Sequence, residues 1–173
     1  MRRVEVWASA LWGALVLSGC CGISKSGQCL RSSTIQAAAA SGDERQLEEW
    51  LADPRSWVRE EAARAAGEHQ RTSLVAEVKA RLLDAREKAW VRAASARALG
   101  ALREGVDPDT LTTVALEPRT PSEVKIALVD ALCLLDAETG ATAVAGLVSD
   151  PDILVSAAAE RKVQTRCGTL SVD

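Results

Sequence analysis

Residues 57–67 read WVREEAARAAG, and residues 90–100 read WVRAASARALG. The two stretches lie 33 residues apart and agree at the Trp-Val-Arg start, the second arginine and the final glycine. A third copy follows after another 33 residues, at Val124, Lys125 and Leu128, and a fourth after 31 more, at Val155 and Ala159. A period in the range of about 20 to 50 residues is typical of stacked supersecondary units. The sequence therefore predicts a repeat array.

Each copy predicts a pair of helices. In the second copy Val91, Ser95, Ala98 and Leu99 share one helical face, and a helix-like segment precedes every copy, at residues 43–52, 73–83, 109–116 and 138–148. Asp-Pro pairs at 53–54 and 150–151 mark the turn inside a pair, because proline disfavours a helical predecessor and aspartate can cap backbone N–H groups. Phe and Tyr are absent, and a core of Ala, Leu and Val suits closely packed helices better than sheets.

This pattern of Asp-Pro, Val-Arg and small residues ending at glycine resembles the HEAT-like repeats, including the subtype named from phycobilisome lyases. The resemblance covers about residues 43–163 and implies an all-α, right-handed α-solenoid of about four helix pairs, with the second helix of each pair on the concave side. It also implies a ladder between repeats, formed by an aspartate and a following basic residue. The ladder positions here are Asp53, Arg59, Arg92 and Lys125, and the fourth copy has Ser156 at the basic position.

A second charged column lies five residues after the first, at Arg64, Arg97, Asp130 and Arg161. It has two interpretations. In one, Arg64 and Arg97 belong to a stripe that binds an acidic or mixed-charge partner. In the other, the column consists of ladder hydrogen bonds and solvated helix surface, since charge on a helix is usually solvation alone. In the fourth copy Glu160 and Lys162 replace two alanines, as expected for the polar outer face of a terminal repeat.

The amino terminus predicts export. Arg2 and Arg3 precede an apolar run over residues 6–17, which is too short for a transmembrane helix of roughly 20 residues. The run ends in Leu17-Ser18-Gly19-Cys20, which resembles the lipobox of bacterial lipoproteins. The resemblance implies a signal peptide over residues 1–19, acyl chains such as palmitate on Cys20, and a membrane anchor. Since position 21 is not aspartate, the family's sorting rule implies the outer membrane, with the protein facing the periplasm.

The remaining chain divides into a lipidated tether over residues 20–33, a repeat domain over residues 34–163 and a tail over residues 164–173. The tether is predicted to be flexible because it is rich in Gly and Ser.

Four cysteines remain once Cys20 carries lipid, and an oxidising compartment favours pairing them. Four cysteines allow three pairings. Sequence order favours Cys21 with Cys29 and Cys133 with Cys167, the alternative for each being a free thiol. No metal site is expected, because His69 is the only histidine and close ligand pairs are missing. His69 is expected to face solvent just after a helix.

The function classes narrow accordingly. The chain has 21 Lys and Arg against 24 Asp and Glu, a net charge of −3, which is too balanced for a non-specific nucleic-acid binder. No catalytic motif is present, no cofactor is expected, and Trp50, Trp57 and Trp90 are expected to be core or inter-repeat anchors. The leading hypothesis is a lipid-anchored, non-enzymatic protein-binding or scaffolding module of the cell envelope. The alternatives are a cofactor-handling enzyme of the phycobilin-lyase type and a purely structural subunit of an envelope complex.

Overall fold

The chain divides into two units after Arg31. The computed structural model describes residues 22–23, 29–135, 137–165 and 167. In the first unit, strands β1 (Gly22–Ile23) and β2 (Cys29–Leu30) pair antiparallel, with Gly22 opposite Leu30. This short hairpin lies in the segment that the sequence indicated to be a tether. The predicted signal peptide, Cys20 and Cys21 lie outside the described residues.

The described part of the second unit is all α-helical apart from its turns. A short 3-10 helix, Thr72–Leu74, leads into the fourth of its helices. The α-helices are α1 (Ser32–Ser41), α2 (Glu44–Leu51), α3 (Ser56–Glu68), α4 (Val75–Leu83), α5 (Ala89–Leu102), α6 (Pro108–Leu116), α7 (Ser122–Leu135), α8 (Ala137–Gly146) and α9 (Ile153–Gln164). None of the helices within these described ranges is long and apolar enough to cross a membrane.

The four predicted helix pairs are α2 with α3, α4 with α5, α6 with α7, and α8 with α9, and the predicted all-α solenoid is confirmed. The second helices of successive pairs pack against one another, α3 on α5, α5 on α7 and α7 on α9. Their buried faces consist largely of Ala, Leu and Val, as with Ala63, Ala96 and Leu99, which are fully buried. Small side chains let helices pack closely over a wide area.

Helix α1 is an element that the periodicity did not indicate. Its buried residues Ile35 and Ala39 lie on the side that packs against α2 and α3. The guanidinium of Arg71 donates to the carbonyl oxygens of Ala39, at 2.8 Å, and Ala40, at 3.2 Å, which satisfies carbonyls that the end of a helix leaves unpaired. Helix α1 therefore covers the outer side of the first pair.

Aspartates cap several helices, but not at the Asp-Pro positions where the sequence indicated a cap. Asp43 accepts the backbone N–H of Gln46 at α2, and Asp107 accepts those of Asp109 and Thr110 at α6. The Asp-Pro aspartates act differently, because Asp53 accepts the N–H of Arg55 just before α3. Each Asp-Pro aspartate therefore orders the turn, and Asp152 caps α9 in place of Asp150.

Glycines set the distance between the second helices. A Cβ on Gly67 would lie 2.8 Å from the Cα of Ala98, and one on Gly100 would lie 2.5 Å from the Cα of Ala131. Both separations are shorter than 3.0 Å, and real Cβ atoms essentially never make non-bonded contacts that short. Only glycine therefore permits the observed approach of α3 to α5 and of α5 to α7.

The last interface is built differently. Cys133 stands where Gly67 and Gly100 stand in the earlier copies, and Lys162 replaces the facing alanine. Lys162 Nζ lies 2.9 Å from Asp130 Oδ1, so the prediction that Lys162 forms part of the outer face is wrong, because its ammonium is drawn back toward α7. Glu160 is exposed, which confirms a polar residue at the outer end.

Candidate partner-binding surface

One side of the second helices carries side chains at a fixed helical spacing, the larger and charged ones mostly reaching solvent and most of the small alanines buried. We call these positions the second-helix face: Trp57, Glu60, Glu61, Arg64 and Glu68 on α3; Trp90, Ala93, Ala94, Arg97 and Ala101 on α5; Glu123, Ile126, Ala127, Asp130 and Leu134 on α7. Residues spaced by three or four lie on one side of a helix, and the 33-residue period aligns the three rows. Trp90 is 44 % exposed and Leu134 46 %. The face thus combines large apolar groups with charges.

Arg64 and Arg97 are both exposed and stand one repeat apart on neighbouring helices, as the sequence indicated. Arg64 is held within its own helix, because Nη1 lies 2.6 Å from Glu68 Oε1 and Nε lies 3.2 Å from Glu61 Oε2. The hydrogen bond with Glu61 raises the pKa of Arg64, against the opposing effect of burial, and the hydrogen bond with Glu68 adds to it. Within the described residues Arg97 makes no comparable ion pair. The two arginines therefore differ in how freely they could meet a partner.

Glu60 is a member of the face that the sequence reasoning did not single out. It is half-buried, and within the described chain its carboxylate makes no hydrogen bond or ion pair. Burial raises its pKa above the ordinary value, and the charge of Glu61 adds to the rise. Glu123 on α7 raises it further, while Arg64 and Arg97 oppose the rise. Its position three residues after Trp57 was the signal that could have identified it.

The predicted ladder exists at two of the three interfaces. Arg59 Nε donates to Glu87 Oε2 at 2.5 Å and Nη2 to Oε1 at 2.7 Å, so α3 is joined to the turn before α5. Lys125 Nζ donates to Asp150 at 2.6 Å and joins α7 to the turn before α9. The side chains of both pairs are largely shielded from solvent: those of Arg59 and Glu87 are 14 % and 2 % exposed, and those of Lys125 and Asp150 are 7 % and 6 % exposed.

One detail of the ladder prediction is wrong. Arg92 is buried, but its Nε donates to the carbonyl of Leu82 within its own pair, because Arg119 and Thr120 occupy the next turn where an acid would be needed. Asp53 binds Arg55 in its own turn, with Nε at 2.9 Å from Oδ1, and its carbonyl oxygen accepts from Arg59 Nη1 at 2.5 Å. Ser156 does not remove the last rung, since that rung is the Lys125 pair. The acid of the first rung, Glu87, was not found from sequence because it lies outside the Asp-Pro position.

The tryptophans divide between core and surface. Trp50 is 8 % exposed, which confirms it as a core residue. Trp57 is half-buried, and Arg55 lies over its ring at 5.6 Å from the centroid. The prediction that Trp90 is a core or inter-repeat anchor is wrong. It lies at the first turn of α5 on the solvent side, with Lys88 Nζ 6.0 Å from the ring centroid.

Among the cysteines, Cys133 and Cys167 form a disulfide in the structure, with 4.8 Å between their Cα atoms and 34 residues between them in sequence. It joins the end of α7 to the residues just after α9. The Cys21–Cys29 pairing falls on Cys21, outside the described residues, and Cys20 lies there too.

His69 follows α3, as the sequence indicated, but it is half-buried and its Nε2 lies 3.1 Å from Gln36 Oε1 of α1. The expected solvent-facing position is therefore wrong, because α1 covers this end of α3. Over the described residues, no three His, Cys, Asp or Glu side chains come close enough to hold a metal ion. The arrangement offers apolar contact and ion pairing to another molecule.

One family profile, described as HEAT repeats, matches residues 44–132. The match begins at α2 and ends within α7, so it spans the first three helix pairs and just over half of the chain. No curated protein shows significant similarity to the chain. HEAT repeats generally mediate protein–protein interactions, and stacked helix pairs present extended surfaces for that purpose.

Proposed function

Because this chain belongs to the HEAT-repeat family, we propose that it acts as a protein-binding or scaffolding module held to the bacterial cell envelope by a lipid on Cys20. The observation that carries the binding role is the exposure of Trp90 and Leu134 on the second-helix face. Large apolar side chains that are surrounded by polar residues on a surface are typical of protein interaction sites.

The lipid anchor is supported by the four-residue match at 17–20 and the apolar run that precedes it. Several acyl chains would hold the protein firmly, since each buried CH₂ contributes about 0.8 kcal/mol. The proposed location is the periplasmic side of the outer membrane, and Cys20 would stand at the new amino terminus.

The proposal includes no catalytic step. The single imidazole of the sequence is engaged with Gln36, and on the second-helix face Arg64 and Asp130 are engaged in ion pairs. No observation favours the lyase-type alternative. Absorbance of the purified protein above about 350 nm would nonetheless overturn the non-enzymatic assignment, because a bound tetrapyrrole absorbs there and the protein's own aromatic side chains do not.

The anchor is tested with Cys20→Ala. The variant is expected to persist as an uncleaved precursor that takes up no labelled palmitate, and to leave the fraction that carries acylated proteins. Cys29→Ala, which lies outside the lipobox, is the matched control and should label normally. Normal labelling of Cys20→Ala would refute the anchor and leave the binding role to be judged alone.

The binding role is tested with two double variants of the full chain. Arg64→Glu with Arg97→Glu should keep the helical circular-dichroism signal and the melting temperature, because exposed charges contribute at most about 1 kcal/mol. A photocrosslinking residue introduced at Ala101 of this face should capture a discrete envelope protein in the wild type, and the charge reversal should change the yield of that capture. Failure to capture any protein from Ala101, with normal export, would overturn the binding role.

Arg59→Ala with Arg92→Ala is the control for structure. It removes the partner of Glu87 and a buried guanidinium, so its melting temperature should fall. Leaving the Glu87 carboxylate without its partner should lower the free energy of unfolding by several kcal/mol. An early melt of the Arg64 and Arg97 pair instead would show that those arginines hold the fold together.

A further inference from the structure

The second-helix face is acidic once its internal ion pairs are taken into account. Over α3, α5 and α7 it carries five carboxylates against two guanidinium groups: Glu60, Glu61, Glu68, Glu123 and Asp130 against Arg64 and Arg97. Arg64 is occupied by two of the carboxylates, and Lys162 of α9 is occupied by Asp130. Glu60, Glu123 and Arg97 are left for a partner, so the unsatisfied part of the face is net negative.

These groups lie around one exposed apolar side chain. Trp90 and Ala93 are on α5, at the positions that align with Trp57 and Glu60 on α3 and with Glu123 and Ile126 on α7. Ala93 is small and fully buried, so α5 presents no large side chain beside Glu60, and the charge of Glu123 on α7 acts on Glu60 across it. Trp90 then provides an indole at the edge of an acidic area.

Two observations favour a cation at this place. Lys88 Nζ already lies 6.0 Å from the Trp90 ring centroid, a distance at which an ammonium group is attracted to the π-face of an indole. Glu60 also has only partial compensation for its charge, because burial raises its pKa and the carboxylates of Glu61 and Glu123 add to that rise, against the opposing effect of Arg64 and Arg97. A positive group of a partner placed near Glu60 and Glu123 would stabilise the ionised form of Glu60.

We propose that the second-helix face docks a basic segment of a partner protein, whose Lys or Arg side chains bind Glu60 and Glu123 while an apolar side chain packs on Trp90. This inference rests on the proposed binding function and narrows it. The sequence alone left an acidic or mixed-charge partner open, on the strength of Arg64 and Arg97. The hydrogen bonds of Arg64 to Glu61 and Glu68 occupy the first of those arginines and move the balance toward a cationic partner.

The test uses short fluorescein-labelled peptides of alternating leucine and lysine, with matched peptides in which glutamate or glutamine replaces every lysine. They are titrated into the full-length protein in detergent and followed by fluorescence anisotropy. The lysine peptide is expected to bind more tightly than the other two, and the difference should shrink as salt is raised, because exposed ion pairs are screened. Equal binding of all three peptides, or tighter binding of the glutamate peptide, would overturn the inference.

Variants locate the binding site. Glu60→Gln with Glu123→Gln is expected to weaken lysine-peptide binding about three- to tenfold, as two exposed or half-exposed ion pairs would. Glu104→Gln with Glu117→Gln removes the same charge from exposed residues outside the face and should leave binding unchanged. Trp90→Ala should weaken the binding of both the lysine and the glutamine peptide, because each loses the apolar contact with the indole, and should weaken the lysine peptide the more, because its ammonium groups are attracted to the ring.

A charge reversal separates binding from any loss of folding. Glu60→Lys with Glu123→Lys should transfer the preference to the glutamate peptide at an unchanged melting temperature, which an unfolded variant could not do. If both double variants bind the lysine peptide like the wild type, the basic segment does not dock here. Crosslinking from Ala101 would then still report on the binding function, so the two proposals can fail separately.

Discussion

Gly100→Ala provides a direct test of how closely the repeats are stacked. The added Cβ would lie 2.5 Å from the Cα and 2.8 Å from the Cβ of Ala131 on the next helix, whereas non-bonded carbon atoms sit at about 3.5–4.0 Å. Helices α5 and α7 must separate to admit it. Such overpacking costs about 1–3 kcal/mol, and the better helix propensity of alanine returns about 0.8–1.0 kcal/mol. We expect a net loss of up to about 2 kcal/mol in the free energy of unfolding.

The loss is measured by thermal denaturation of the full-length protein, followed by circular dichroism, and corresponds to up to about 8 °C in melting temperature for a unit of this size. Gly146→Ala is the matched control. Its Cβ would meet only the flexible tip of Leu116, at 3.4 Å, so it should be neutral or raise stability by up to about 1 kcal/mol. If Gly100→Ala is as stable as Gly146→Ala, the close contact between α5 and α7 does not limit the stacking.

Three further predictions concern the cross-links between repeats. Replacing Cys133 and Cys167 by serine should lower the free energy of unfolding by about 3–4 kcal/mol, the chain-entropy estimate for a separation of this length. The intact mass of exported protein, measured with and without reductant, should show the disulfide bond. Two free thiols in exported protein would contradict it. Burial alone would raise the pKa of Glu87, but its hydrogen bonds hold that pKa below the ordinary value of 4.5, so its contribution to stability is present above pH 4.5 and lost as the pH falls below it. Between about pH 6 and pH 3 the wild type should therefore lose more of its free energy of unfolding than Glu87→Gln. Parallel pH profiles of the two proteins would argue against the ion pair. Lys125→Met should leave the buried Asp150 without its partner and lower the free energy of unfolding, measured by chemical denaturation, by about 3–5 kcal/mol. The double variant Lys125→Met with Asp150→Leu should recover most of that loss. No recovery would mean that Lys125 stabilises the protein through its packing and not through the ion pair.

The helix pairs could be predicted from the sequence because their determinants are local and repeated. An apolar face that recurs every 33 residues indicates both the helix and the neighbour that must cover it. The first helices of the pairs begin and end within two residues of the positions that the pattern predicted, since aspartates and prolines mark the turns. The exposure of Arg64 and Arg97 followed from the same periodicity.

Other features depended on tertiary contacts. Helix α1 has a weak apolar pattern, and it is held by Ile35, Ala39 and the hydrogen bonds of Arg71 to its carbonyl oxygens. Short isolated helices are marginal in water, so only packing against the first pair identifies it. The position of His69 beside Gln36 is a consequence of that packing.

The sequence by itself determined that the chain is an array of helix pairs, and that basic residues recur at the start of the second helices. Only the tertiary structure decided which acceptor each of them meets: Glu87 for Arg59, Asp150 for Lys125, and a carbonyl oxygen for Arg92. The second helices of neighbouring pairs lie as close together as glycine permits at Gly67 and Gly100. At this distance, side chains that are 25 to 28 residues apart in sequence come into contact. Periodicity aligns equivalent positions between copies, but an ion pair joins non-equivalent ones, and its partner depends on the offset between adjacent helices.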